Sequence, residues 1–157
     1  MPSTAYPRNF LDTAFIPKNW DLIAPIYEDL MARTLTSVGE LESLLVDISE
    51  LEAVVGEYAA RLYVKKDLDT TDEAAAEAWK NWQTNVQPKL SEANFKLQQK
   101  WASSPLCDEL NQDEFGIYIK RTRAAIELFR EENLPLQVEE STLATEYGKI
   151  VGTQAVE

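Results

Sequence analysis

Apolar residues recur at alternating steps of three and four along residues 41–62, which is the spacing of one face of an α-helix. The stripe comprises Leu41, Leu44, Ile48, Leu51, Val55, Tyr58 and Leu62, and Leu45, Val54 and Ala59 widen it. Ser37 followed by Glu40 matches a capping box, so the helix is predicted to begin there. It should end near Lys66, because Lys65 and Lys66 suit the negative end of the helix dipole. A stripe of this width predicts packing against more than one neighbour.

A second apolar stripe predicts another long helix directly after the first. It reads Ala75, Trp79, Trp82, Val86, Leu90, Ala93, Leu97 and Trp101, and residues 103–105 (SSP) stop it. Thr70 with Glu73 matches a second capping box, and Pro88 should bend the helix near its middle. Because residues 67–71 form so short a connection, the two long helices are predicted to lie antiparallel.

The segments around this pair are also predicted to be helical, apart from the start of the chain. Prolines at positions 2, 7 and 17 predict an extended arm over residues 1–18. Asn19 is the expected N-cap of a short helix that ends near Arg33. Beyond a turn at 106–110, a third long helix capped by Asn111 and Glu114 should bury Phe115, Tyr118, Ile119, Ala125, Ile126 and Phe129.

Asn133 and Pro135 are expected to end that third long helix, and residues 138–151 to form a final helix. The last residues, 152–157 (GTQAVE), look like the start of a β-prone stretch. With few glycines and no alternating strand pattern, the sequence predicts an all-α fold: an antiparallel bundle of long helices with an extended N-terminal arm. Its parts would be the arm, residues 1–18, and a helical domain, residues 19–157.

Charge and composition exclude several classes of function. Lys and Arg number 15 against 27 Asp and Glu, and the resulting net charge of −12 disfavours nucleic acid and anionic membrane surfaces as partners. The chain has no histidine, which excludes Ser/His/Asp and Cys/His nucleophiles, HExxH zinc sites and His-based iron sites. A single cysteine, Cys107, and no apolar run like a signal peptide at residues 1–16 predict a cytoplasmic protein.

Five residue groups resemble functional motifs, and each has a structural explanation that we favour. Asp67, Asp69 and Thr71 match the first positions of a calcium loop, but Asp72 and Ala78 occupy the places of its glycine and glutamate, so helix capping is preferred. Trp79, Trp82 and Trp101 suit a core better than a ligand pocket. Adjacent pairs of acidic residues are typical of a solvent-exposed helix face. Lys120, Arg121 and Arg123 share their helix with acidic residues that can form ion pairs with them, so they are not read as a phosphate site. Cys107 should act as a small apolar residue. No catalytic, cofactor-binding or metal-binding residue is therefore predicted.

Several short segments of the sequence resemble segments of a known enzyme family. They are 27–30 (YEDL), 35–38 (LTSV), 40–42 (ELE), 69–73 (DTTDE), 127–136 (ELFREENLPL) and 146–150 (EYGKI). Together and in this order they resemble the opening of bacterial M3 family oligoendopeptidases of the oligoendopeptidase F type. The resemblance extends over most of residues 15–157.

The resemblance implies a cytoplasmic zinc metallopeptidase that cleaves short peptides and whose helical N-terminal part forms one wall of a deep channel. In that family an HExxH motif and a later glutamate hold the zinc, well downstream of this region, and no position of this chain matches them. The implied partners are the downstream catalytic domain and short peptides. The chain itself would restrict substrate size and be catalytically silent, with zinc only in the full-length family members.

Two other classes of function stay open. The stripe from Leu41 to Leu62 is long enough to pair with a partner helix, which would make the chain a stand-alone acidic adaptor or a homodimeric interaction module. A carboxylate-only enzyme is the less favoured third hypothesis, because nothing in the sequence positions its acids.

Overall fold

Helices and their connections make up the chain from Arg8 to Gly152, the residues that the computed structural model describes. The helices are α1 (Trp20–Ala32), α2 (Val38–Leu68), α3 (Glu73–Asn81), α4 (Gln87–Ala102), α5 (Gln112–Leu128) and α6 (Asn133–Gly152). A π-helical segment, Trp82–Val86, joins α3 to α4, and a 3-10 turn, Pro105–Glu109, precedes α5. The described residues contain no β-strand, and the predicted all-α bundle is confirmed.

Helix α2 begins and buries its apolar face as its sequence predicts. The Ser37 hydroxyl accepts a hydrogen bond from the Glu40 N–H at 3.3 Å, and the Glu40 carboxylate accepts one from the Ser37 N–H at 3.1 Å. The buried members of its stripe are Leu41, Leu44, Leu45, Ile48, Leu51, Val54 and Val55. The helix ends at Leu68, two residues beyond the predicted end at Lys66.

Two contacts show that α2 and the rod formed by α3 and α4 are antiparallel. The Trp101 indole N–H donates to the Leu41 carbonyl at 3.1 Å, at the start of α2 and the end of α4. At the opposite end, the Tyr63 and Trp79 rings lie 5.3 Å apart. A later residue of α2 thus meets an earlier residue of the rod, which confirms the predicted antiparallel pair.

The start of α3 differs from the prediction. Its N-cap is Asp72, whose carboxylate accepts from the Ala75 N–H at 2.9 Å, and not Thr70. The carboxylate of Asp69 accepts from the Thr71 N–H and hydroxyl at 2.9 and 2.6 Å. This Asx-type turn occupies residues 69–71 and delays the helix by two residues, so the predicted Thr70–Glu73 capping box is wrong.

The irregularity predicted at Pro88 lies just before it, in the five-residue π-helical segment Trp82–Val86, which ends two residues before the proline. Proline has no N–H to donate, and its ring crowds the carbonyl four residues earlier, that of Thr84. Widening the backbone into a π-helical turn relieves that crowding. The first and last residues of the segment, Trp82 and Val86, stay buried.

The C-terminal helices have different limits from those predicted. Helix α5 ends at Leu128, and Asn133 and Pro135 belong to the first turn of α6 and do not end α5. A proline in the first turn loses no intrahelical hydrogen bond, so α6 starts five residues before the predicted Val138. Residues 1–7 of the predicted arm and residues 153–157 of the β-prone stretch lie outside the described residues.

The buried face of α5 is also slightly rotated from the prediction. Ala125 is exposed and Tyr118 is 36% exposed, whereas Thr122 is buried. The face that packs inward is Phe115, Ile119, Thr122, Ile126 and Phe129, which keeps the alternating steps of four and three. The predicted face left out Thr122 because only apolar residues were counted toward it.

Helix α1 begins at the predicted N-cap, where the Asn19 side chain accepts from the Leu22 N–H at 3.1 Å. Its C-terminal end is held by Lys100 of α4, whose ammonium donates to the carbonyls of Leu30, Met31 and Arg33 at 3.0, 2.7 and 2.5 Å. The last carbonyls of a helix have no intrahelical donor and carry partial negative charge. A cation placed there donates hydrogen bonds to them and balances that charge.

Replacing Lys100 with Met should lower the free energy of unfolding by about 1–2 kcal/mol, because three carbonyls at the end of α1 lose their donor. Urea unfolding followed by circular dichroism measures this. Lys96→Met is the matched control: Lys96 is exposed on the same helix and forms a surface ion pair with Glu92, so its loss should change stability by less than about 0.5 kcal/mol. Equal effects of the two substitutions would contradict the capping role of Lys100.

Candidate functional site

Of the three tryptophans at helical spacing, Trp82 and Trp101 lie in the core and Trp79 lies at its edge. Trp82 and Trp101 are each 1% exposed, while Trp79 is half-buried and stacks edge-on against Tyr63. The Tyr58 and Trp82 rings lie 5.4 Å apart. The preference for core over ligand pocket is thus confirmed for Trp82 and Trp101.

The acids of the calcium-like segment hold turns and helix ends. Asp69 binds Thr71, Asp72 caps α3, and Asp67 pairs with Lys66. Within residues 8–152, no group of three or more His, Cys, Asp or Glu side chains is arranged to hold a metal ion. Asp72 thus caps a helix as predicted, whereas Asp69 stabilises a turn and Asp67 forms an ion pair.

Cys107 is a buried free thiol. Its Sγ donates to the Trp101 carbonyl at 3.1 Å, and burial raises the pKa of the thiol. A thiol with a raised pKa carries little thiolate at neutral pH, and thiolate is the reactive form. Cys107 packs as the small apolar residue that the sequence predicts.

The strongest polar site in the described residues is one that sequence analysis missed. Glu50 lies in the middle of α2 with only 3% of its surface exposed. Its carboxylate accepts hydrogen bonds from the backbone N–H groups of Asn9, Phe10 and Leu11 at 2.9, 3.1 and 2.8 Å. One side chain therefore fixes three consecutive residues of the N-terminal segment against the bundle.

The ionisation of Glu50 follows from this geometry. Burial alone would disfavour the charged form, but the N–H groups of Asn9, Leu11 and Phe10 and the charge of Arg8 outweigh it. The pKa of Glu50 consequently lies below its ordinary value. The carboxylate is charged at neutral pH, which makes its three hydrogen bonds charge-assisted.

The side chains of Arg33 and Leu11 complete the attachment of the N-terminal segment. The Arg33 guanidinium lies 5.0 Å from the centre of the Phe10 ring and also pairs with Asp29 and Asp47 at 3.0 and 2.5 Å. Leu11 is 7% exposed and joins the core. The segment is thus tied at once to the end of α1 and to the middle of α2.

Two of the surface clefts have mixed polar linings. One, of about 380 Å³, lies between α3 and α6 and is lined by Trp79, Lys80, Gln83, Thr142 and Lys149, among others. The other, of about 290 Å³, lies between α1 and α4 beside Trp20 and Tyr27. Acidic and basic side chains occur together in both linings.

No helix within residues 8–152 is both long and apolar enough to span a bilayer.

Glu50→Gln should reduce the free energy of unfolding at pH 7 by about 2–3 kcal/mol, because an amide offers one acceptor oxygen where a charged carboxylate served three N–H donors. Chemical unfolding at pH 7 measures the effect. Glu57→Gln is the control, since Glu57 is exposed on the same helix and only pairs with Arg61; it should change stability by less than about 0.5 kcal/mol. A loss no larger than that of the control would refute the role of Glu50.

The effect of Glu50 should also depend on pH in a definite direction. A carboxyl whose pKa is lower in the folded state stabilises the fold above its unfolded pKa, about 4.3 for glutamate. That stabilisation is lost as the pH falls through the lower folded-state pKa. The stability difference between the native chain and Glu50→Gln should therefore be largest at pH 6–7 and shrink below about pH 4. A difference that grows on acidification would contradict this account.

Comparison with known proteins identifies the family. A family model described as the Peptidase M3 N-terminal domain matches residues 10–129, from the anchored N-terminal segment to the end of α5. No curated protein and no solved structure is similar enough to count as a match. The matched region includes the α2 stripe, the antiparallel rod and the Glu50 contact. Since the match spans most of its length, the chain belongs to the family of Peptidase M3 N-terminal domains.

Proposed function

We propose that this chain is the helical N-terminal domain of a zinc oligoendopeptidase of the oligoendopeptidase F type. It forms part of the wall that limits access to short peptides, and it does not hydrolyse peptides by itself. The observation that carries the proposal is the family match over residues 10–129 in a chain that has no histidine.

The absence of histidine separates this chain from the chemical step. A zinc peptidase of this kind holds its metal with two imidazoles of an HExxH motif and a further carboxylate, and the metal activates the attacking water. This chain supplies neither imidazole. The zinc ligands must come from a catalytic domain, which we propose as the main partner of this chain, with short peptides as the substrate class.

The length and rigidity of α2 suit it to form part of the wall of a substrate channel. Helix α2 has 31 residues, which corresponds to a length of about 46 Å at 1.5 Å per residue. An extended peptide of about twelve residues has a similar length. Because the N-terminal half of α2 is held by Trp101 of α4, by Arg33 and by the N-terminal segment, it can present a stiff surface that excludes larger, folded substrates.

The cytoplasm is the compartment we propose for this activity. The one cysteine is buried as a free thiol, so it forms no disulfide with another residue of the described chain. A reducing compartment agrees with this use of cysteine.

The adaptor hypothesis loses its main support. The stripe that was expected to pair with a partner helix is covered by other parts of this chain. Leu41, Leu44 and Leu51 are each 1% exposed or less. Tyr58 and Leu62, at the far end of the stripe, pack against the same core. The seam is therefore not available to a second protein.

Incubating the purified chain with zinc and a quenched fluorescent oligopeptide tests catalytic silence. We expect fluorescence to rise no faster than in a protein-free blank, because the chain holds no imidazole to bind zinc. An active M3 oligoendopeptidase in the same buffer is the positive control. Hydrolysis by the pure chain that a chelator abolishes would overturn the proposal.

A further inference from the structure

The cleft between α3 and α6 has a helix on each side, and the two helices run in opposite directions. The last residue of α6, Gly152, lies beside Thr70, just before α3: a Cβ on Gly152 would be 3.6 Å from Thr70 Cγ2. Helix α6 also contacts the π-helical segment that follows α3. The earlier turns of α6 therefore lie beside the end of α3, and its later turns lie beside the start of α3.

The lining of this cleft carries charges of both signs. Two lysines and three glutamates contribute to it, namely Lys80, Lys149, Glu73, Glu77 and Glu146. Within residues 8–152 none of these five side chains forms an ion pair. Their charges and their hydrogen-bonding capacity are therefore available to a bound molecule.

Hydrogen-bond donors gather where Lys80 faces the earlier turns of α6. The Gln83 amide and the Ser141 hydroxyl line the cleft there together with the Lys80 ammonium. Neither of these two polar side chains makes a hydrogen bond in the part of the chain that the structure describes, so both can donate to a ligand. An ammonium, an amide and a hydroxyl together suit a carboxylate, whose two oxygens accept several hydrogen bonds.

Acceptors gather toward the other end of the cleft, beside the later turns of α6. Glu73, Glu77 and Glu146 outnumber the one cation there, Lys149. The Thr145 hydroxyl donates to a carbonyl one turn earlier in α6 at 2.9 Å, so it offers a ligand only its acceptor lone pairs. This end therefore suits an ammonium group.

The dimensions of the cleft match a short peptide. Its volume of about 380 Å³ lies within the usual range of ligand sites. The ten steps from Glu73 to Gln83 rise about 15 Å at 1.5 Å per residue. An extended peptide covers about 3.3–3.6 Å per residue, so about four residues span this distance. Trp79 lies between the two ends and is half-buried, which leaves part of its ring to pack on an apolar side chain.

The mixed lining disfavours other classes of ligand. Three carboxylates repel nucleotides and other polyanions, and two ammonium groups repel polyamines. Apart from Trp79 and Ala76, the residues described in the lining are polar. A purely apolar ligand would cover these polar groups without satisfying them, which costs free energy. A ligand with one charge of each sign, held apart, fits the lining best.

We propose that the cleft between α3 and α6 binds peptides of about four residues that have free termini. The peptide carboxylate binds at the Lys80 end, the ammonium binds at the end of Glu73 and Glu77, and an apolar side chain between them packs on Trp79. The ligand class rests on the proposed function, in which short peptides are the substrates. The cleft holds such a peptide on this domain itself, without the zinc site.

Nuclear magnetic resonance titration of the isotope-labelled chain with an unlabelled tetrapeptide of leucine and alanine tests the site. The Trp79 indole signal, assigned with the Trp79→Phe variant, should shift with a Kd of about 1 mM or lower. Amidating the C-terminus or acetylating the N-terminus of the peptide should each weaken binding at least about fivefold, because each removes a charge that the cleft pairs. Binding that ignores both changes, or no shift with about 10 mM peptide, would overturn the proposal.

Lys80→Met locates the peptide carboxylate. The variant should bind the free peptide at least about fivefold more weakly but the amidated peptide as tightly as the native chain does, because the amidated peptide has no carboxylate to lose its partner. Lys120→Met, at an exposed lysine of α5, is the matched control and should bind both peptides like the native chain. Equal effects of the two substitutions would reject the site. Circular dichroism checks that both variants stay folded.

The failure of this site and the failure of the proposed function give different results. A chain that neither binds nor hydrolyses the peptide refutes the cleft and leaves the proposed wall domain standing. A chain that hydrolyses peptides with zinc refutes catalytic silence, whereas binding that depends on Lys80 and on both peptide termini still supports the cleft.

Discussion

The rest of the structure depends on the burial of one face of α2. Along its first half this helix packs on several sides at once, which is why its stripe is wider than a two-position seam. Each fully buried leucine or isoleucine on it contributes about 1.5–3 kcal/mol relative to an exposed one. The rod of α3 and α4 covers one side, and Trp101 is fixed there by its bond to the Leu41 carbonyl. The N-terminal segment attaches through Glu50, in the middle of the same helix.

A buried carboxylate at the centre of this helix gives the fold a specific contact as well as apolar burial. Apolar surface has no direction, so it does not decide which residues of an irregular segment lie where. Three N–H groups converging on one carboxylate do decide it, because the hydrogen bonds fail if the segment shifts by one residue. The pairing of Arg33 with both Asp47 and the Phe10 ring gives a second fixed point.

Local rules predicted most of this architecture. Periodicity identified both long stripes, and the Ser37 and Asn19 caps identified two helix starts, because each of these signals is contained within a few neighbouring residues. Where several residues compete for one role, the sequence did not decide: residues 69–73 offer several caps, and the structure uses Asp72. Pro135 suits the end of one helix and the first turn of the next equally well.

The Glu50 site was missed for a different reason. Its partners lie about forty positions earlier in the chain and contribute only backbone N–H groups, which leave no mark in the sequence. The one available signal was a carboxylate next to Leu51 and four residues before Val54, on the flank of an apolar stripe. Helical periodicity alone does not distinguish such a residue from one at the solvent border.

The central claim is that this helical domain works beside a zinc site that it does not itself contain. Sequencing the coding region that follows the Glu157 codon tests this most directly. The account predicts an in-frame His-Glu-x-x-His motif with a further glutamate downstream of it. A stop codon directly after Glu157, with no metallopeptidase coding sequence beside it, would contradict the account.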